Sequence, residues 1–500
     1  MTALTPYLRL RARFSRLAAL EEASSILHWD SSVVMPPKAA PARGEQMAAL
    51  AAAAHAILTD PATAVDLDAA EADAARLGAE DRANLALMRR KHRRATALSA
   101  DLVEAMARAT SACEAAWREA RKASDFPAVA PLLAEVVRLV REQAAALSAA
   151  TGLARYDSLL DGYQPGLTDS RLVALFGPLQ AMLADVLPAA LARQQAQPPP
   201  IPLPGPFPVE AQRALCRSVA ERAGLDFSAA RLDESTHPFC GGTPTDIRIT
   251  TRYDESDPTQ AILGVLHECG HALYEANLPK AFARNPLGEA AGMAVHESQS
   301  LIVEMQAARS DAFLSWLGPR MHAAFGGDPS PYAPENLARL WRRVRPGLIR
   351  VEADEVTYPA HIVLRWRLER ALVLGDLAVT ELPGAWNDGM RDLLGLAVPD
   401  DRRGCLQDIH WYDGAFGYFP SYTLGAMAAA QLFQAASADR PEITVALGQG
   451  SFAPLVAWLA ERVHAHGAAH GLDGLLERAT GRSLDPAAFE RHLRARYLGE

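Results

Sequence analysis

The sequence predicts a mainly α-helical protein with a small β-sheet, and three observations support this prediction. From residue 7 to about residue 195 the chain is rich in Ala, Leu and Arg, and its apolar residues recur at helical spacing. The helical pattern returns near residue 260 and continues to the end of the chain. Between these regions, residues 246–253 alternate polar and apolar side chains and are rich in β-branched residues, which is typical of a strand.

Prolines and glycines divide the helical regions. Met35-Pro36-Pro37 predicts a turn that ends a helix. The proline-rich segment at about 198–208 is a stiff extended connector, which either divides two lobes or crosses the surface. A helix is predicted near 208–223. In the C-terminal half, we expect loops at 383–388, 398–404 and 412–420.

Residues 261–274 contain the motif His-Glu-x-x-His within a helical pattern. Residues four apart lie on one face of a helix, so His267 and His271 can offer two imidazole nitrogens to one metal ion. Glu268 lies beside them, where its carboxylate can act on a water that zinc activates. Apolar neighbours predict a buried helix, and buried polar groups need partners. The alternative is two core histidines bonded to backbone carbonyls and a surface glutamate.

Catalytic zinc usually takes three protein ligands and leaves one position for water. Residues 289–304 predict a second helix, which could lie antiparallel to the first and bring a carboxylate opposite the histidines. We favour Glu297 as the third ligand, although spacing alone leaves Glu289 and Glu304 open. His296 points about 100° away from Glu297 on a helix, so we do not expect both to bind the same ion.

Composition excludes several classes of protein. A net charge of −9 argues against non-specific binding to nucleic acid or to an anionic membrane surface. No apolar run of 18 residues and no signal peptide is recognised, so we expect no membrane span. The 5 cysteines include no Cys-x-x-Cys pair, which fits a reducing cytoplasm better than a disulfide framework. Cys269 lies in the metal motif, but it faces away from the histidines, and we expect it to pack in the core.

The motifs resemble those of the carboxypeptidase Taq family of metallocarboxypeptidases. The likeness is most specific in His-Glu-Cys-Gly-His at 267–271 and His-Glu-Ser-Gln-Ser-Leu at 296–301. It extends over nearly the whole chain through further patches at 29–37, 156–166, 237–239, 246–250, 349–354 and 404–411.

The resemblance implies that His267, His271 and Glu297 hold one zinc ion per subunit and that Glu268 is the catalytic residue. It also implies a two-lobed helical fold like that of neurolysin and angiotensin-converting enzyme, with a deep active-site channel and a small β-sheet beside the metal site. Because the likeness spans the proline-rich connector, we predict one catalytic domain over residues 1–500. Co²⁺ or Mn²⁺ is expected to substitute for zinc, because two imidazoles and a carboxylate discriminate weakly among these ions.

An aromatic, glycine-rich segment at 410–422 predicts the group that stabilises the oxyanion beside zinc. A phenol or an imidazole could serve, so Tyr422 and His410 are the candidates, and Tyr418 is a candidate substrate contact. The alternative is that these aromatic side chains pack in the core.

A carboxypeptidase must also bind the free carboxylate of its substrate, which arginine does best through paired hydrogen bonds. The resemblance implies Arg350 for this role, and the alternative is a structural ion pair with Glu352 or Asp354. Arg248, on the predicted strand, is expected to close one end of the groove or to pair with an acid. His237 is a candidate substrate contact because of its motif.

The sequence therefore predicts a cytoplasmic zinc metallocarboxypeptidase that releases C-terminal residues from peptides with broad specificity, and poorly at proline. The resemblance also implies a homodimer. One alternative is a metallo-oligopeptidase that cuts internally. The other is a non-catalytic helical binding protein whose metal site serves stability alone.

Overall fold

The computed structural model describes residues 4–500, and α-helices dominate it. The chain divides into two compact units, each built from three stretches of sequence. Unit 1 consists of Met1–Ala95, Pro199–Trp341 and Ala428–Leu484, and unit 2 of Thr96–Pro198, Arg342–Met427 and Asp485–Glu500. One boundary falls after Pro198, inside the proline-rich segment. The single domain and the channel predicted from the family resemblance stay predictions.

The regular elements follow one another in an order that places the only strands of the described chain between the ninth and tenth helices. In chain order they are α1 (Pro6–Val33), α2 (Ala40–Thr59), α3 (Pro61–Ala72), α4 (Ala79–Thr96), α5 (Ala100–Ala123), α6 (Phe126–Thr151), α7 (Arg155–Tyr163), α8 (Asp169–Gln195), α9 (Val209–Ala223), β1 (Ala230–Glu234), β2 (Cys240–Thr243), β3 (Asp246–Thr251), α10 (Thr259–Ala276), α11 (Met293–Leu301), α12 (Asp311–Phe325), α13 (Pro334–Trp341), α14 (Tyr358–Leu374), α15 (Leu382–Leu394), α16 (Pro420–Asp439), α17 (Glu442–Leu447), α18 (Ala453–Arg462), α19 (Leu472–Thr480) and α20 (Pro486–Leu493).

Helix ends follow the sequence signals in the N-terminal part of unit 1. The side chain of Thr5 caps α1 by accepting from the amide of Leu8, and α1 ends at Val33, before the predicted Met-Pro-Pro turn. Apolar residues of α1 pack with residues of α3 and α4 in one buried cluster, which consists of Tyr7, Leu10, Phe14, Leu17, Leu67, Ala70, Leu85 and Met88.

The sheet has three strands in the order β1-β3-β2. The central strand is the predicted one, although it ends at Thr251 rather than at residue 253. β1 pairs with it in parallel and β2 pairs with it antiparallel, so that Leu232 and Cys240 both oppose Ile249. The sequence did not predict β1 or β2, because each is short and β2 contains two glycines, which have low strand propensity. The sheet packs against α10, as predicted.

The three loops predicted in the C-terminal half have different outcomes. Segments 398–404 and 412–419 contain no α-helix, and the first has one short 3₁₀ turn at Asp401–Arg403, whereas Pro420 already begins α16. The predicted loop at 383–388 is wrong, because these residues lie inside α15. Pro383 occupies the first turn of that helix, where a proline is tolerated because the backbone N–H has no partner there.

One helix of unit 2 is apolar and long. By length and composition α8 could cross a membrane, and so could the bent pair Pro37–Thr59 and Pro61–Ala72 if it is taken as one span. A buried core helix passes the same test, and α8 buries Leu172, Leu175, Phe176 and Leu179. The prediction of no membrane span therefore stays a prediction. All 5 cysteines lie among the described residues and are free, and Cys269 is fully buried as predicted.

Candidate metal centre

Helix α10 holds the two histidines of the motif one turn apart in unit 1. The ring centroids of His267 and His271 are 5.0 Å apart and the ring planes are nearly perpendicular, at 84°. The apolar residues before the motif, such as Ile262, Val265 and Leu266, are fully buried. Burial of this face fixes the rotation of the helix, and the rotation fixes the direction of both imidazoles.

A glycine inside the motif lets the next helix approach closely. A Cβ atom on Gly270 would lie 2.2 Å from the backbone oxygen of Gln299 in α11, and 2.5 Å from the Cα of Ser300. No other residue fits this contact without moving a helix. Glycine in a helix interior costs about 1 kcal/mol relative to alanine, and this close approach explains its presence. The sequence reasoning missed this role, although an interior helical glycine was a readable signal.

Glu297, on α11, completes the candidate metal site. One ligand atom from each of His267, His271 and Glu297 lies within 4.8 Å of the others. The Oε2 atom of Glu297 is 3.9 Å from Nε2 of His267 and 3.6 Å from Nε2 of His271. Ligands at about 2.0–2.1 Å from a tetrahedral ion stand roughly 3.3 Å apart. The spacing of the three atoms therefore fits a small divalent cation.

The electrostatics of the cluster also favour a cation. Burial alone lowers the pKa of His267, but the carboxylates of Glu304, Glu297 and Glu268 outweigh it and raise this pKa to about 10. The carboxylates thus stabilise a protonated imidazole at His267, whereas an imidazole with its ordinary pKa is mostly neutral at pH 7. Burial lowers the pKa of His271, which keeps a lone pair available. A divalent ion would supply the positive charge without a proton.

The other two carboxylates considered from the sequence lie elsewhere. Glu289 pairs with Lys91 at 2.5 Å. Glu304 accepts a hydrogen bond from Nδ1 of His267 at 3.1 Å and one from Arg309 at 2.5 Å. Glu304 therefore contacts the back of a ligand imidazole rather than the space between the ligands.

A π-helix brings Glu304 to this position. The predicted helix over 289–304 begins later, at Met293, and continues beyond Leu301 as a π-helix over Ile302–Ala307. The wider turn changes the angle between successive side chains. Burial raises the pKa of Glu304, but Arg309 and His267 outweigh burial and lower it.

His271 is supported by a longer chain of hydrogen bonds. Its Nδ1 is 2.7 Å from Nδ1 of His296, and Nε2 of His296 is 2.9 Å from Oε1 of Glu275. A neutral ligand that offers Nε2 to a metal carries its proton on Nδ1. Nδ1–H of His271 then donates to His296, and Nε2–H of His296 donates to Glu275. As predicted, His296 does not point at the same position as Glu297.

Glu268 is 5% exposed, and burial raises its pKa to about 7. A carboxylate in this range suits general base chemistry near neutral pH, because it can accept a proton and release it again.

Unit 2 contains the predicted carboxylate-binding arginine. Nε and Nη2 of Arg350 donate to Oδ1 of Asp408 at 2.9 and 2.8 Å. Nε and Nη2 of Arg365 donate to the other oxygen of Asp408 at 2.7 and 2.5 Å. Arg350 is thus in an ion pair, but its partner is neither Glu352 nor Asp354, the two acids considered from the sequence. Asp354 instead accepts from backbone amides and from a threonine hydroxyl.

One of the three aromatic candidates, Tyr422, packs against this arginine, and the other two contact Tyr422. The guanidinium carbon of Arg350 is 4.8 Å from the ring centroid of Tyr422. Nε2 of His410 lies 3.2 Å from the hydroxyl of Tyr422, and Tyr418 packs on both rings. Burial lowers the pKa of His410 to about 4. Among residues 4–500, Nδ1 of His410 has no hydrogen-bond partner.

The remaining two candidates lie at the sheet of unit 1. Arg248 forms a bidentate ion pair with Asp246 and stacks on Trp29, with 4.2 Å from its guanidinium carbon to the ring centroid. Pairing with an acid was one of the two expectations for Arg248. The side chain of His237 is exposed, and its backbone oxygen accepts from Ser235.

Comparison with known proteins gives matches along the whole chain. A model of the carboxypeptidase Taq (M32) metallopeptidases matches residues 9–497. The thermostable carboxypeptidase 1 of Thermus thermophilus is 38% identical over 99% of both chains, and the carboxypeptidase 1 of Bacillus subtilis is 33% identical over 96% of both. The solved structure of Trypanosoma cruzi metallocarboxypeptidase 1 is 39% identical, covers 98% of this chain and 99% of its own, and has a TM-score of 0.96.

Proposed function

Because the chain belongs to the carboxypeptidase Taq (M32) family and is a metallocarboxypeptidase, we propose that it uses one zinc ion, held by His267, His271 and Glu297, to release C-terminal residues from peptides. The observation that carries the proposal is the convergence of three ligand atoms within 4.8 Å of one another. Two imidazoles and one carboxylate are a ligand set typical of catalytic zinc. Co²⁺ or Mn²⁺ would substitute, because this set discriminates weakly among these ions.

In this proposal, the chain's own groups move the protons. When bound, the metal would polarise the scissile carbonyl and lower the pKa of a water molecule that it binds. Glu268 takes a proton from the attacking water and passes it to the leaving amine. Tyr422 or His410 stabilises the negative charge that develops on the carbonyl oxygen. Support for these two comes from their contact with each other and from the contact of Tyr422 with Arg350.

Arg350 binds the free carboxylate of the substrate in this proposal. The support is electrostatic, because Arg350 and Arg365 share a single acid, Asp408, so the two guanidiniums exceed the carboxylates by one charge. Arg350 is 7% exposed. A substrate carboxylate would balance the charge of the two guanidiniums through charge-assisted hydrogen bonds.

The finer features of the proposal rest on the family resemblance. They are broad specificity with poor release at proline, substrate contacts by Tyr418, His237 and Arg248, a homodimer, and a cytoplasmic location that free cysteines favour. Sedimentation equilibrium tests the homodimer directly, because a monomer of 53.8 kDa is easily resolved from a dimer.

The test uses N-acetylated peptides of mixed sequence with zinc-loaded protein, and mass spectrometry of the products over time. We expect single residues to leave from the C-terminus in order, with a pause at proline. The same peptides as C-terminal amides should remain intact, because the amide removes the charge that Arg350 binds. Internal cleavage of the amides would favour the oligopeptidase alternative and reject the proposal.

A further inference from the structure

Arg365, on α14, is a fully buried arginine, and each of its three guanidinium nitrogens donates a hydrogen bond to a protein acceptor. It is 0% exposed. Nε and Nη2 donate to Asp408, and Nη1 donates to the backbone oxygen of His361 at 2.9 Å. The guanidinium also packs on the rings of Trp386 and Phe419, with 4.5 and 5.5 Å from its central carbon to their centroids. Arg365 therefore cannot touch a substrate.

Arg365 nevertheless sets the net charge of the buried cluster that it forms with Arg350 and Asp408. Burial alone would raise the pKa of Asp408, but the guanidiniums of Arg365 and Arg350 lower it, so this acid is ionised. Burial lowers the pKa of His361 to about 3 and that of His410 to about 4, so both imidazoles are neutral near pH 7. Arginine stays protonated in proteins. The buried cluster therefore carries one net positive charge.

We propose that Arg365 is a positioning residue that makes Arg350 an anion receptor, by taking one oxygen of Asp408 and leaving Arg350 only partly neutralised. The inference rests on the proposed role of Arg350. Without Arg365, Arg350 and Asp408 would form a closed ion pair with no net charge. An incoming carboxylate would then meet the negative charge of Asp408 with no second cation to offset it.

The size of the effect follows from the Coulomb energy of buried charges. At an effective dielectric constant of about 20, one charge removed at roughly 7 Å changes the binding of an anion by tenfold or more. The effect is specific to the charge of the ligand. A substrate analogue whose C-terminus is an amide should bind equally well with or without Arg365.

The test compares binding of N-acetyl-leucine with binding of N-acetyl-leucinamide by calorimetry, together with KM and kcat on an N-blocked dipeptide. Arg365→Met should weaken the binding of N-acetyl-leucine and raise KM by about tenfold. It should change kcat and the binding of N-acetyl-leucinamide little. Arg365→Lys, which keeps the charge, should recover most of the loss. Arg370→Met is the matched control on the same helix, since Arg370 pairs with Asp169, and it should leave KM unchanged.

A double variant separates charge from architecture. Adding Asp408→Asn to Arg365→Met removes one negative charge, so Arg350 again has a net charge, and the new amide oxygen can still accept from it. KM should return to within about threefold of the parent value. A purely structural role predicts the opposite, because a second buried change should add to the damage. If Arg365→Met does not fold, the double variant, which buries no unpaired acid, carries the test alone.

The outcomes distinguish this inference from the proposed function. If Arg350→Met weakens acid binding while Arg365→Met leaves it unchanged, the inference is wrong and the role of Arg350 stands. If Arg350→Met leaves acid binding unchanged, the proposed role of Arg350 is wrong. A double variant that binds the acid tenfold or more weakly than the parent also overturns the inference.

Discussion

The metal cluster of unit 1 and the arginine cluster of unit 2 are opposite in charge, and both are unbalanced. In unit 1, the carboxylates of Glu268, Glu275, Glu297 and Glu304 lie around three imidazoles. Among residues 4–500, Arg309 is the one arginine or lysine that is hydrogen-bonded to any of these carboxylates. In unit 2, two guanidiniums share one carboxylate. The first cluster lacks a cation and the second lacks an anion.

A third buried carboxylate lies in unit 2 and has its own partners. Glu355 is 2% exposed and contacts His492 at 2.7 Å, Arg496 at 3.0 Å and the hydroxyl of Tyr497 at 2.9 Å. These contacts fasten the C-terminal residues to the rest of unit 2. The comparison of the first two clusters teaches that a buried charge imbalance indicates a ligand site, because an unpaired buried charge is costly.

The largest expected effect concerns Glu268, the proposed general base of the metal cluster. Glu268→Gln removes the proton acceptor but keeps the size of the side chain, so kcat should fall by on the order of 10³ while zinc stays bound. Steady-state kinetics and metal analysis of the same sample measure both. Glu289→Gln is the matched control, because Glu289 pairs with Lys91 outside the cluster. Parent-like turnover in Glu268→Gln would favour the structural metal site.

The next effect concerns the arginine cluster. Arg350→Met should lower kcat/KM on free-acid peptides by roughly a hundredfold, because charge-assisted hydrogen bonds contribute about 1.5–3 kcal/mol. Zinc content should be unchanged. If this variant loses zinc, the two clusters are not independent and the comparison between them fails.

The two carboxylates that hold the ligand histidines by hydrogen bonds, Glu304 and Glu275, should differ in their effect on zinc affinity. Glu304→Gln should weaken zinc binding by roughly 10–100-fold, because Glu304 contacts His267 directly and holds its tautomer. Glu275→Gln should weaken it less, because Glu275 acts through His296. Competition with a chromophoric chelator gives both affinities. The ranking of the supports is wrong if Glu275→Gln proves the more damaging change.

The smallest expected effect on catalysis concerns Glu369, a fully buried carboxyl in unit 2 that accepts hydrogen bonds from Tyr156 and Trp411. Burial raises its pKa to about 7, although hydrogen bonds from Tyr156 and Trp411 oppose the rise. A raised pKa means that the folded state binds the proton more tightly than the unfolded state. The stability that this proton contributes is fully present below about pH 4.5 and is lost as the pH rises through about 7.

Glu369→Gln mimics the protonated form at every pH. Relative to this variant, the parent should lose roughly 3 kcal/mol of unfolding free energy between pH 4.5 and pH 8. Denaturant unfolding at several pH values measures the difference, and kcat should differ little. A difference that is constant with pH would mean that Glu369 is ionised throughout.

Local periodicity explains what was predictable at the metal site. Two histidines four residues apart share a face on any helix, so their convergence required no tertiary information. Glu275 continues the same face one turn beyond His271 and could have been found by the same reasoning. The choice of Glu297 over Glu289 and Glu304 needed the family resemblance, because the π-helix that turns Glu304 towards His267 has no clear sequence signal.

Long-range pairing explains what was missed. Asp408 and Arg365 lie 58 and 15 residues from Arg350, and the sequence offered nearer acids, Glu352 and Asp354, as partners. The strands β1 and β2 were also missed, since their pairing with β3 stabilises them more than their own composition does. In each case the deciding interaction joins residues that no local pattern connects.

The sequence alone determined the helical class, the motif helix with its two imidazoles, the central strand and, through motif resemblance, the family. These are local properties of spacing and composition, which need no knowledge of neighbours in space. Only the tertiary structure decided which carboxylate faces the two Nε2 atoms, which hydrogen bonds hold the imidazoles, and how two arginines share one acid. Those features depend on helix contacts such as that at Gly270 and on charges brought together from distant segments, and neither is encoded within a single stretch of chain.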